Sequence, residues 1–473
     1  MEMISELLRR ISSLGLWGSI CILFSFFIAS GNIVLSILIL IAVLFFLAIL
    51  YGPQFFAVFW LIGSPTIFGF PNQLLRPLPF VTMERLLLAA LAAIVLLRMV
   101  FVKGRHLSLS SLELLILLFL SYALMSLVFH VEPGELNKSG WFFFQYAMPM
   151  MTFIISRRIE WSDRAVRRLL LILSMAGVFL AVVGIFQGVF GVEIFIINYQ
   201  TISSGHIGRA HGTFSNAHAY SATLCVFLIL TLCQFNMYRD SLVRFALIFA
   251  ILLMAFGMFL GQTRAPWLGG GVALGIIFIL DRKVRPLLVV GGVTAFFVGG
   301  GVFFLMTDLE SIVNRITDLG TISGRLAVWA TAVNMIVHNP IFGVGFGADS
   351  FLLNKPEYIT GIGSISVQRA VYLGVPHNEY LHVAVLLGFT GLLLFMTILA
   401  KVFKLLFGIY RNSEYSHMNR QLSLYLGAIF VGLLINSLFS DTYMHDYYWT
   451  ATYFFAGLVA GMPRKFAHAQ HDN

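Results

Sequence analysis

Two arginines stand in settings that packing alone does not explain. Arg209 lies in Gly205-His206-Ile207-Gly208-Arg209-Ala210-His211-Gly212-Thr213-Phe214, just ahead of an apolar run. Arg264 lies in Gly261-Gln262-Thr263-Arg264-Ala265-Pro266-Trp267, a tight turn between two apolar runs. A guanidinium at the edge of hydrocarbon is costly and generally faces a cavity or a partner. Its fixed fork suits phosphate oxygens, and it keeps its charge in a low-dielectric site. Two such groups at one membrane face would suit a lipid-borne pyrophosphate. The plainer alternative is that each snorkels to lipid headgroups, for which Arg264 has little room in its turn.

A second signal is His377, which opens Pro376-His377-Asn378-Glu379-Tyr380-Leu381 at the start of a long apolar run. Histidine is the usual general base near neutral pH, and Asn378 or Glu379 is placed to orient it. The position equally suits a helix cap or a structural donor. His382 follows five residues later, on a different helical face, so the spacing is not that of the HExxH zinc motif. His206, His211 and His218 match no metal-ligand spacing, and neither a metal nor another cofactor is expected. Arg325 and Asn378 are further candidates for touching a substrate, Arg325 reading equally well as a helix-surface charge. Asp441, His445 and Asp446 read as a solvated turn.

The elements that must position these residues are membrane spans. Of 473 residues, 59% are hydrophobic and only 11% charged, with a mean hydropathy of +0.90. A soluble chain would be about a quarter charged, so the apolar excess must face lipid. Runs long enough to cross a bilayer fall near 13–29, 32–51, 54–70, 84–101, 111–129, 141–156, 167–190, 213–235, 243–261, 265–281, 285–306, 378–400, 421–439 and 446–462. The stretches 32–70 and 141–156 are the least distinct, which gives about 12–14 transmembrane helices in an all-α polytopic fold. No small-residue cleavage site follows the first run, and another span follows at once, so no cleavable signal peptide is expected. With the N-terminus placed in the cytoplasm, 21 of the 30 Lys and Arg fall inside, the bias of a cytoplasmic-membrane protein. The net charge of +9 then needs no nucleic acid. Cys21, Cys225 and Cys233 lie in apolar spans and behave there as small hydrophobes.

Four regions follow: transmembrane helices in 1–190, helices carrying the outward arginines in 191–306, a folded outer subdomain in 307–376 and C-terminal helices in 377–473. The outer segment is too long for a plain connection. It contains Ser323-Gly324-Arg325-Leu326-Ala327-Val328-Trp329-Ala330, with apolar residues at helical spacing as far as His338 and a stop at Asn339-Pro340. Gly343-Val344-Gly345-Phe346-Gly347 could bring backbone close to a ligand or another element. No Walker-type sequence is present, so ATP is not the expected energy source. Mid-span positions are nearly free of charge, which argues against a transporter, whose coupling groups sit at mid-depth.

Taken together these residues resemble the O-antigen ligase and O-antigen polymerase superfamily of bacterial membrane glycan transferases. The strongest match is His377-Asn378, nine residues, then Gly388-Phe389-Thr390-Gly391, which fits the H-[NSQ]-x9-G-x-x-G pattern of the ligases. It extends to Arg209 with Gly212-Thr213-Phe214, to Arg264, and to Gly324-Arg325, Trp329, Pro340 and Gly343-Val344-Gly345. Where family members carry Pro-Asn after this block, the chain has Ala217-His218, and the positions before Gly388 are apolar where a glutamate is common. The resemblance implies a GT-C-like helical fold in the inner membrane with its site facing the periplasm. It implies a glycan donor on undecaprenyl pyrophosphate, held by Arg209 and Arg264. His377 would take the proton from an acceptor hydroxyl, on lipid A–core or a similar glycolipid, in a metal-independent inverting transfer. A glycan polymerase and a protein O-oligosaccharyltransferase would use the same motifs.

Overall fold

The computed structural model describes residues 52–66, 82–101, 108–192, 209–293, 319–359, 374–445 and 447–463. Among them all regular structure is helical. The expected spans 13–29 and 32–51, the end of 54–70, most of 285–306, His206, Cys21 and Asp446 lie outside the described residues.

The chain divides into two compact units, 1–107 and 108–473. In the first, α1 (Pro53–Thr66) packs on α2 (Met83–Phe101), and Trp60 Nε1 donates to the Glu84 carbonyl at 2.9 Å. The second holds α3 (Ser111–His130), α4 (Leu136–Ser156), α5 (Asp163–Phe190), α6 (Ala217–Phe235), α7 (Ser241–Leu260) and α8 (Arg264–Leu280). It continues with α9 (Leu319–His338), α10 (Ser350–Tyr358), α11 (Glu379–Arg411), α12 (His417–Asn436) and α13 (Tyr447–Gly461). Every expected span from 54 onward meets a helix, residues 285–293 included. Six described helices (α3, α5, α6, α7, α11 and α12) are each long and apolar enough to cross a bilayer, and α8 is a shorter apolar helix. The protein is therefore a multi-pass membrane protein. α9 begins at Leu319, earlier than the sequence pattern suggested, and stops at His338 ahead of Asn339-Pro340 as expected.

The ends of these helices are set by short polar side chains that satisfy the free N–H groups of the first turn. Asp240 accepts from Leu242 and Val243 N–H, Ser416 from Asn419, and Asn378 from Tyr380 and Leu381. α8 and α12 cross with Gly269 and Gly432 in backbone contact, where a methyl on either would overlap the other's carbonyl. Small residues that let backbones touch are the usual membrane helix seam.

α11 is the element that departs from a plain span. Gly388 sits inside it at φ +64 and ψ −170, which breaks the helix after nine residues, Glu379–Leu387. The freed carbonyls are taken up by a second chain segment: Val344 N–H donates to Val385 O at 2.9 Å and Gly345 N–H to Leu386 O at 3.1 Å. Tyr122 OH donates to Leu387 O at 3.1 Å, and Phe389 N–H donates to Pro340 O at 2.7 Å. Gly343, also left-handed at φ +71, lies so close to Val385 and Leu386 that no side chain fits. Irregular backbone in a membrane protein persists only where protein satisfies it. The nine residues between Asn378 and Gly388 are thus the length of one half-helix.

Candidate functional site

Residues from five segments converge at the N-terminal end of α11. Asn378 is spent as the helix cap, and His377 just before it has a left-handed backbone, φ +49. That turn aims both its N–H and its ring at one carboxylate. Asp441 Oδ2 accepts the His377 backbone N–H at 3.1 Å and lies 3.3 Å from His377 Nδ1. The carboxylate is only 3% exposed while the His377 side chain is 45% exposed, so Nδ1 is anchored inward and Nε2 is left for the open side. His382 Nδ1 lies 3.5 Å from Asp441 Oδ1 on the buried side. The two histidines therefore meet at one aspartate. His377 precedes the helix and takes no part in its periodicity, so their spacing does not hold the two rings on different faces.

Asp441 is not the solvated turn residue the sequence suggested. Its turn is locked from below by buried hydroxyls and indole: Ser437 Oγ and Thr442 Oγ1 are 2.7 Å apart. Trp449 Nε1 donates to Thr442 Oγ1 at 3.0 Å, and Tyr448 OH donates to Thr442 O at 2.7 Å. Glu379 does not orient His377 either. It is fully buried, accepts from Tyr146 OH, and accepts the Tyr443 N–H at 3.1 Å. Tyr146 and Tyr443 stack at 4.8 Å. Burial by itself would raise the Asp441 carboxyl, but the His377 hydrogen bond and the charges of His382 and His377 hold it below the usual carboxylate range. Asp441 is an anion built into a dry wall.

The arginines approach from the other side. Gln187 holds the 209–214 loop, accepting from His211 N–H at 3.1 Å and Gly212 N–H at 2.7 Å and donating to Gly212 O at 2.8 Å. Ala210 N–H donates to Leu260 O at 3.1 Å. Arg209 donates to the Gln262 carbonyl, in the turn that Gln262 makes at φ +48, two residues before Arg264 opens α8. Arg209 and Arg264 therefore share one turn. Arg325, half-buried on α9, has its pKa lowered by burial and by the charge of Arg264, against the opposing pull of Asp441. Arg325 thus lies within electrostatic reach of both Arg264 and Asp441. One turn after Arg325, Trp329 Nε1 donates to Pro376 O at 2.7 Å, tying α9 to the residue before His377.

The remaining histidines go elsewhere. His211 Nδ1 lies 2.8 Å from Phe214 O, and His218 Nε2 lies 3.3 Å from Asn436 Nδ2. The His445 side chain lies outside the described residues. Chemically, the cluster offers an imidazole whose inward nitrogen is fixed on a carboxylate. Arg325 stands within electrostatic reach of that carboxylate, and Arg264 opens α8, a helix N-terminus being a setting that favours anions.

Asp441 escaped the sequence reading because a short polar turn between spans looks solvated. The signal that could have found it is the run of hydrogen-bonding aromatics just after it, Tyr443, Tyr447, Tyr448 and Trp449, which need buried partners.

Residues 249–396 match the family model described as O-Antigen ligase. A Rickettsia felis protein named provisionally as a polysaccharide ligase is 22% identical over 311 residues, covering 63% of this chain and 71% of the relative. A similarly named Rickettsia conorii protein is 25% identical over 160 residues, covering 32% of this chain and 38% of that one. Among solved structures, a chain of a peptidoglycan synthase complex superposes with a TM-score of 0.40 at 16% identity, covering 75% of this chain and 98% of the other. That likeness is too slight to argue from. The family match encloses Arg264, Arg325, His377 and the broken half-helix, and with the two relatives it supports the resemblance to the O-antigen ligase superfamily.

Proposed function

We propose that this protein transfers a glycan from a polyprenyl pyrophosphate carrier, of the undecaprenyl type, to an acceptor hydroxyl on lipid A–core or a similar glycolipid. The observation that carries this reading is the His377–Asp441 pair, with Arg325 within electrostatic reach of its carboxylate. In this reading the pyrophosphate is gripped by Arg209 and Arg264, with Arg325 against the donor or the acceptor. His377 Nε2 takes the acceptor proton while Asp441 keeps Nδ1–H turned inward and steadies the imidazolium that forms. The acceptor oxygen attacks the anomeric carbon from the face opposite the pyrophosphate, the carbon–oxygen bond to the phosphate breaks, and the stereocentre inverts. Fixed cations at the leaving phosphate stabilise charge as it develops, usually the largest single contribution to such catalysis. The positive-inside bias supports a site open to the periplasm, in the inner membrane, and the GT-C-like arrangement of helices rests on the family resemblance. No step in this reading calls for a metal.

Reconstitution with purified lipid-linked glycan and a panel of acceptors tests the assignment. Appearance of full-length glycan on lipid A–core is the expected product. Longer chains still attached to the carrier would identify a polymerase instead, and glycan on a serine or threonine hydroxyl a protein-directed transferase. Turnover of none of these donors would overturn the reading.

A further inference from the structure

The sequence places 307–376 outside the membrane as a subdomain over the bundle mouth. The described part of that segment has a face which such a position leaves unexplained. α9 packs Val328, Ala332, Met335 and Ile336 against Phe351, Ala384 and Val385. Its other side presents Leu326, Val333 and Val337, 46%, 50% and 67% exposed, at helical spacings that make a single stripe. Past the helix, Ile341 and Phe342 are each 59% exposed. They sit where α3 and α11 present stripes of their own, Leu118, Met125 and Phe129 on one and Phe389, Leu393 and Met396 on the other. Both of those helices are membrane spans by length and composition.

Two rulers give the depth of the turn. Midway along α9, Trp329 ties it to Pro376, level with the head of α11. At its end Pro340 is tied to Phe389, below the half-helix Glu379–Leu387. Nine helical residues amount to about 13.5 Å. The chain then climbs back along α3. Tyr122 OH lies 3.4 Å from Ile341 O, Phe346 N–H donates to Ser126 Oγ at 3.1 Å, and Ala348 N–H donates to Ser139 Oγ, on α4, at 3.2 Å. From Tyr122 to His130 at the end of α3 is about 12 Å. Half a hydrocarbon core is about 15 Å, so both rulers put the tip near the bilayer middle.

The polar groups of the segment are arranged accordingly. Its N–H groups are met by protein, Gly343 on Asn339 O at 3.2 Å and the next two on α11. Its polar edge is paired with α10, Asn334 Nδ2 donating to Tyr358 O at 3.0 Å and Asn339 Nδ2 to Tyr358 OH at 3.2 Å. We propose that residues 325–348 form a re-entrant hairpin sunk in the leaflet on the His377 side, with lipid acyl chains covering Leu326, Val333, Val337, Ile341 and Phe342. Continuity with the lipid-facing stripes of α3 and α11 selects acyl chains as the occupant. Arg325 and Trp329 stand at the root of this hairpin, so the leaflet itself helps fix the height of the site. The proposal needs only the membrane fold and is independent of the glycan assigned above.

Nitroxide labels test it in lipid nanodiscs of phosphatidylethanolamine and phosphatidylglycerol. The full chain, with Cys21, Cys225 and Cys233 changed to alanine, receives one cysteine at a time: Lys138→Cys, Leu326→Cys, Val337→Cys, Phe342→Cys or Phe389→Cys. Collision with oxygen relative to a water-soluble nickel chelate should rise severalfold from 138 through 326 to 337 and 342, and 342 should match 389. Nickel access at 342 equal to that at 138 would mean an aqueous loop. Exclusion of both probes at 342 would mean a protein-covered one, and either result overturns the hairpin.

Discussion

Asp441 and His377 show how much one buried carboxylate can decide. The carboxylate takes both the backbone and the ring of His377, so losing its charge should disturb the orientation of the base more than the binding of a donor. Asp441→Asn is expected to lower kcat of transfer toward the level of His377→Ala, a loss on the order of 10²–10⁴ for a general base, with donor KM little changed. Equal loss of kcat and of donor binding would make Asp441 a merely structural residue. The same substitution should be visible in stability. A carboxyl held below its ordinary value stabilises the folded state above the unfolded-state value of about 3.9, and that contribution is lost as pH falls through the lower folded value. The wild type should therefore exceed Asp441→Asn in thermal unfolding at neutral pH, by about 1.5–3 kcal/mol for a hydrogen bond to a charged group, and the gap should close in strong acid. Arg264→Ala leaves an exposed helix start, so the folded protein should survive while donor affinity and turnover fall together. Unchanged donor titration in that variant would remove the pyrophosphate grip. Both arginines and His377 were legible because charge is rare in this chain. Asp441 was not, since nothing local in the sequence separates a buried turn from a wet one.

At the scale of elements, α11 carries the most information. A long apolar run between His377 and Lys401 reads as a span, and a helix is there. The break at Gly388 was hidden because a glycine in a helical pattern is usually tolerated. What makes this one different is a partner far away in sequence, the 340–345 segment that fills the gap. Gly388→Ala would put a methyl against Ile341 O in a left-handed backbone, at a cost of about 1–3 kcal/mol of strain. The expected result is a lowered midpoint in detergent unfolding, with Gly408→Ala in the same helix, where an added methyl meets open space, unaffected. Equal midpoints for wild type and Gly388→Ala would mean that the break is not required.

Across the whole molecule, the site depends on helices staying in register over long distances. α8 carries Arg264 at one end and meets α12 through Gly269 and Gly432. At its far end Asp281 Oδ2 accepts Asn236 Nδ2 at 2.7 Å and Tyr425 OH at 2.9 Å. Gly432→Leu should push α8 outward, which predicts loss of activity and weaker protection of α8 amides in hydrogen exchange while α3 and α4 keep theirs. The other side of the unit has its own clasp, Glu113, fully buried, held by Arg157 at 2.6 Å and by Arg158. Among the described residues, the class of the helices and the places of the expected spans followed from hydropathy alone, because lipid rewards apolar length whatever the neighbours are. Their pairing did not, since it rests on contacts such as that of two glycines more than 160 positions apart.

The nine-residue half-helix works as a measuring rod. Each added or deleted residue between Asn378 and Gly388 would turn everything beyond it by about 100° and shift it by about 1.5 Å. The imidazole would then lose its carboxylate, or the glycine its docking segment. The contacts at its two ends, the His377–Asp441 pair and the docking of Gly388 against Ile341, together set its count.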